Sequence, residues 1–168
     1  MKICICSCIF TLQIFLSVNS VYVDQQIMNS TYNLERFLSA QEQVYSTVLK
    51  ELRIGRKETH WMWYIFPQLK QLGFSSTSQF YGLADLNEAR AYLQHPILRQ
   101  RLEECIEMLL AGKISNPTRI FGHPDDLKFH SCVTLFLLAD PENAIFKKAL
   151  DKFYGGIGDF ETERIVLK

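Results

Sequence analysis

From Asn33 onward, apolar residues return every three or four positions: Leu34, Phe37, Leu38, Val44, Tyr45, Val48, Leu49 and Leu52, with Gly55 just after them. That period is the signature of an amphipathic helix, and a glycine past the last apolar position is a helix stop. The design then repeats. In "DLNEARAYL", Asp85 and Glu88 are spaced as a capping box, and "HPILRQRLEECIEMLLAG" opens with Pro96 in a first-turn position and closes at Gly112. "HPDDLKFHSCVTLFLLA" and "DPENAIFKKALDKFYGG" have Pro124 and Pro141 near their starts, Asp140 placed as a cap, and Gly155 and Gly156 as an end. A last short helix is predicted from Asp159 to Val166. Between the first two helices lies "THWMWYIFPQL", which as a helix would be apolar on nearly every side and therefore central. No segment alternates apolar and polar residues as a half-buried strand does, and no Asn-Gly or Asp-Gly hairpin turn occurs. The pattern predicts an all-α fold, a single compact multi-helix domain over residues 33–168.

The N-terminus changes the picture. "MKICICSCIFTLQIFLSVNS" has one lysine, an apolar run, and Val18 and Ser20 at the spacing of a signal-peptidase site. Residues 1–20 therefore read as a signal-peptide-like segment, and 21–32 as a flexible lead-in. The run is short for a membrane span and contains Gln13, so no stable span is expected. On this reading the chain is secreted, and Asn29 in "Asn29-Ser30-Thr31" becomes a glycan acceptor. The alternative is a cytoplasmic protein. The 18 basic and 18 acidic residues leave no net charge, so no global field draws in nucleic acid. Outside the leader only Cys105 and Cys132 remain, each inside an apolar helical pattern, which points to buried thiols rather than a disulfide framework.

Several unusual strings occur in one order: "NLERFLSAQEQVYSTVLKELRIGRKETHWMWYIFPQLKQLG", then "DLNEARAYLQHPILRQRL", then "IFGHPDDLKFHSCVTLF". Over roughly residues 33–167 they closely resemble the mostly bacterial family called domain of unknown function 1810. The resemblance implies a mainly helical single domain and, for a family with bacterial members, a cytoplasmic setting; it carries no agreed catalytic or binding residues. The Thr-Ile-Pro-Pro core required by calpastatin, a label some members bear, does not appear here.

Candidate chemistry collects in two places. In "GRKETHWMWYIFPQL", Arg56 and Lys57 could supply anion-binding donors, His60 a proton-transfer group, Trp61 or Trp63 a stacking face, and Gln68 an inward-pointing amide. The bland reading is that the rings only fill the core. We expect Ile65, Phe66 and one tryptophan to be buried, with Lys57 and His60 accessible and facing the second place, "FGHPDDLKFHSCVT". There Asp125 and Lys128 share a helix face, although carboxylates in a first turn also serve the helix dipole. A nucleophilic pair of Ser131 with His130 lacks support from spacing. His60, His95, His123 and His130 form no metal-binding pairs, so neither a metal nor a cofactor is expected. Two function classes follow: a protein that binds or processes a small anionic ligand such as a nucleotide or an ADP-ribose-like compound, and a protein-interaction module with no catalytic activity. The sequence fixes neither the oligomeric state nor whether the protein is an enzyme.

Overall fold

Glycine and short polar residues set most of the helix boundaries. A computed structural model of the chain describes residues 32–168; the signal-like segment, Asn29 and nearly all of the lead-in lie outside the described residues. Helix α1 runs over Glu35–Ile54 and stops at Gly55, whose φ of 76° closes the last turn with its N–H on the carbonyls of Glu51 and Leu52. A non-glycine residue would be strained in this left-handed conformation. A single helical turn, α2 (Met62–Ile65), and a 3-10 turn at Lys70–Leu72 precede α3 (Ser76–Tyr81), α4 (Leu86–Gln94) and α5 (Pro96–Ala111). Helices α6 (Pro117–Phe121), α7 (Asp125–Ala139), α8 (Ala144–Tyr154) and α9 (Phe160–Val166) complete the chain. Side chains of Ser75, Asp85, His95, Asn116, Asn143 and Asp159 each accept a backbone N–H at a helix start. At α4 the expected capping pair forms: Asp85 accepts from Glu88 N at 2.9 Å while Glu88 accepts from Ala84 N at 2.7 Å.

Two expectations are corrected. The aromatic stretch is not a long central helix but one turn followed by extended chain. Pro67 is the cause, since the residue before a proline is pushed out of the helical region, and Phe66 adopts φ −121° and ψ 71°. Asp140 does not start α8 either. It lies at the C-terminal end of α7, and the cap of α8 is Asn143, which accepts from Ile145 N at 3.2 Å.

Residues 34–168 form one compact unit. Its centre is α7, where every residue from Ser131 to Phe136 is buried. Helices α4, α6, α8 and α9 pack on it, while α1 lies on α5. A chain of rings, Phe37 to Tyr92 to Phe136 to Phe146, crosses the core with centroids 5.2, 5.3 and 5.7 Å apart. The fold is all-α: among the described residues there is no strand, only an isolated parallel bridge between Leu69 and Leu83. None of these helices is long and apolar enough to cross a membrane. Cys105 and Cys132 are buried free thiols whose pKa values burial pushes up, which removes the thiolate character a nucleophile needs.

Candidate functional site

Between α1 and α2 the chain wraps around one carboxylate. Glu51, on the last turns of α1, accepts from Glu58 N at 2.8 Å, Thr59 N at 3.2 Å, Thr59 Oγ1 at 2.7 Å and Trp61 Nε1 at 2.7 Å. Burial alone would raise its pKa, but these donors outweigh burial and hold the carboxyl below its ordinary value. Sequence reasoning missed Glu51. The signal was present, because a glutamate between Val48 and Leu52 falls on the apolar face of α1, and all three are buried.

With the loop pinned there, Trp61 is fully enclosed, its ring 6.0 Å from Phe66 and 6.4 Å from Phe121. Phe66 and Phe121 each lie against Phe129 of α7, with centroids 4.8 Å away in both cases. Those ring contacts bring the first turn of α7 to the loop. A backbone bond from Lys57 N to Ile120 O at 2.6 Å fixes the other side. The sequence-predicted burial of Ile65, Phe66 and one tryptophan is what the structure shows.

The result is an ion cluster. Lys57 Nζ lies 2.8 Å from Asp125 Oδ2, and Lys128 Nζ lies 2.6 Å from Asp125 Oδ1. Each ammonium also faces an indole, Lys57 at 5.5 Å from the Trp61 centroid and Lys128 at 4.0 Å from that of Trp63. Burial works to raise the Asp125 pKa, yet the two lysines prevail and hold it below the usual carboxylate value. Two ammonium groups on one carboxylate leave one formal positive charge within the trio. Losing Asp125 would strand a buried charge, at a cost of about 3–5 kcal/mol.

Of the eight candidates, then, Lys57, Trp61, Trp63, Asp125 and Lys128 come together, and three do not join them. Arg56 extends into solvent, its Nε 3.9 Å from Glu58 Oε1 in an exposed pair of the kind worth about 0–1 kcal/mol. His60 is exposed on the same loop, its carbonyl accepting from the Tyr64 hydroxyl at 3.2 Å. Gln68 is buried in the extended segment after Pro67, where its carbonyl accepts from Leu83 N at 2.9 Å. Lys57 departs from expectation in another way. It faces Asp125, but its side chain is only 8% exposed, because the ammonium turns inward to the carboxylate. Nor is the Trp63 ring wholly free for stacking, since Lys128 sits over it.

No Ser–His pair forms. Ser131 Oγ donates to Leu127 O and Asp159 Oδ2, at 3.1 and 3.2 Å, while His130 stacks on Tyr154 and its Nε2 meets Ile157 O at 2.8 Å. No group of three or more His, Cys, Asp or Glu side chains among the described residues is arranged to hold a metal. A cleft of about 170 Å³ lies between the C-terminal ends of α1 and α5, walled by Leu52, Ile54, Met108 and Leu109, and a wider one of about 510 Å³ runs along α5 past Arg99 and Glu103. None of the eight candidates lines either cleft.

Residues 31–166 match the family described as protein of unknown function (DUF1810). Among solved structures, the conserved hypothetical protein Rv1873 from Mycobacterium tuberculosis is 45% identical, with a TM-score of 0.80 and a match that covers 82% of this chain and 99% of that one. No curated protein matches.

Proposed function

We propose, for a chain that belongs to the DUF1810 family of proteins of unknown function, that it binds a small anionic ligand at the Lys57–Asp125–Lys128 cluster. The observation that carries the reading is the pair of ammonium groups, 2.8 and 2.6 Å from a single carboxylate, which leaves their charge half-compensated in a largely buried place. Charge-assisted hydrogen bonds there are stronger than in water, because the surroundings are poorly screened. Lys128 is the more exposed of the two lysines and forms the point of entry, and Arg56 and His60 stand in solvent on the adjoining loop. The test is a thermal-shift screen of anionic metabolites on the wild-type chain and on Lys128→Gln. A ligand at a hundred times its dissociation constant adds about 2.7 kcal/mol to the wild type. The substitution should abolish that gain. If no anion stabilises the wild-type chain, the reading is wrong.

A second reading, an interaction module, has its own support. Leu127, Ile157 and Phe160 are 53%, 70% and 71% exposed. The segment carrying Ile157 and Phe160 is tied to the turn of α7 that follows Leu127, because Ser131 donates to the Asp159 carboxylate and His130 meets the Ile157 carbonyl. Loss of binding to a partner on Leu127→Ser, with anion binding intact, would favour this reading.

A further inference from the structure

The cluster carries a selectivity as well as a charge, an inference that rests on the anion-binding reading above. Each oxygen of Asp125 already holds one ammonium, Oδ1 that of Lys128 and Oδ2 that of Lys57. Lys57 is 8% exposed and Asp125 17%, so a ligand reaches both lysines only by taking the place of the aspartate. Asp125 is tethered beside them and competes at a high effective concentration, as a linked group does. A ligand carboxylate offers no more than Asp125 does, one negative charge and two oxygens, and loses that competition. A phosphate monoester is different. It carries a charge of about −1.5 to −2 at pH 7 and presents three acceptor oxygens, enough to neutralise two ammonium groups and leave an oxygen over. Lys128 would hold its position during the exchange, because the Trp63 ring supports its ammonium from 4.0 Å away. We infer that this site takes phosphate-monoester dianions, and that Asp125 is the specificity-determining residue, an internal competitor that excludes carboxylates and phosphodiesters.

The test compares methyl phosphate, dimethyl phosphate and acetate by NMR titration of the isotope-labelled full chain at pH 7.5. Methyl phosphate should shift the signals of Lys57, the Trp63 indole and residues 125–128, and bind at least tenfold more tightly than the other two. Lys128→Gln should weaken it by a similar factor. In Asp125→Asn, acetate binding should rise toward that of methyl phosphate; if that variant does not fold, the wild-type panel and Lys128→Gln decide the matter. Equal binding of all three probes at these residues would overturn the selectivity and leave the anion site standing. Absence of any shift there with all three would overturn both.

Discussion

Replacing Glu51 with alanine should free the loop that carries Arg56, Lys57 and His60. The carboxylate accepts four hydrogen bonds, from Glu58 N, Thr59 N, Thr59 Oγ1 and Trp61 Nε1. These are not equal losses. Glu58 and Thr59 are exposed, so their donors turn to water at little cost. Trp61 has 0% exposure, and its indole N–H would be left buried without a partner, a penalty of about 1–3 kcal/mol. Adding a modest loss of packing, Glu51→Ala should lower stability by about 2–3 kcal/mol. Glu51→Gln keeps one acceptor oxygen and should cost about half as much. Urea unfolding followed by tryptophan fluorescence measures both: the midpoint should fall with little change in slope. The pH dependence has a definite sign. A folded-state pKa below the unfolded value means that the ionised carboxylate stabilises the fold above the unfolded value, near 4.3, and that this contribution is lost as pH falls through the folded pKa. Wild type should therefore lose more stability on acidification than Glu51→Gln does. A change under about 0.5 kcal/mol in Glu51→Ala, typical of surface positions, would refute the claim that this carboxylate organises the loop.

Three further outcomes follow from the packing. Lys152 Nζ donates to the carbonyls of Leu109, Leu110 and Gly112 at 3.0, 2.9 and 2.6 Å, closing the C-terminal end of α5, so Lys152→Met should cost about 1–2 kcal/mol in the same urea assay. A Cβ at Gly82 would lie 2.5 Å from both Lys70 Cα and Ser78 O, and because backbone atoms yield little, Gly82→Ala should destabilise by about 1–3 kcal/mol, measured by thermal unfolding. Phe66→Ala should cost about 3–5 kcal/mol, whereas the exposed His60→Ala should stay within about 0.5 kcal/mol; equal losses would make His60 a core residue.

What could be read from the chain, and what could not, follows the range of the interactions. The end of α1 was legible because Gly55 marks it locally, and the burial of Phe66 and of at least one tryptophan because large rings in a short apolar stretch have nowhere else to go; which tryptophan was not. Asp125 and Lys128 were visible as one helix face, since their spacing alone places them together. The inward turn of Lys57 was not. It depends on Phe66, Phe121 and Phe129 drawing α7 against the loop, a contact between segments far apart in sequence. Pro67 cuts the aromatic helix short through a local steric effect, whereas the unbroken apolar run from Trp61 to Phe66 on its own favours a longer one. Asp140 and Asn143 are both cap-forming residue types; the chain starts α8 at Asn143 and places Asp140 beside Arg99, 3.6 Å from its guanidinium. Lys152 was hidden because the carbonyls it caps lie at the end of another helix.

An anion site built on Lys57 and Lys128 can be seen by soaking crystals of the protein in selenate at neutral pH and locating selenium by anomalous scattering. A peak is expected at the first turn of α7, with selenate oxygens about 3 Å from the Lys128 ammonium and Asp125 turned aside. Selenium bound only elsewhere on the surface, with the Asp125 carboxylate still holding both lysines, would contradict it.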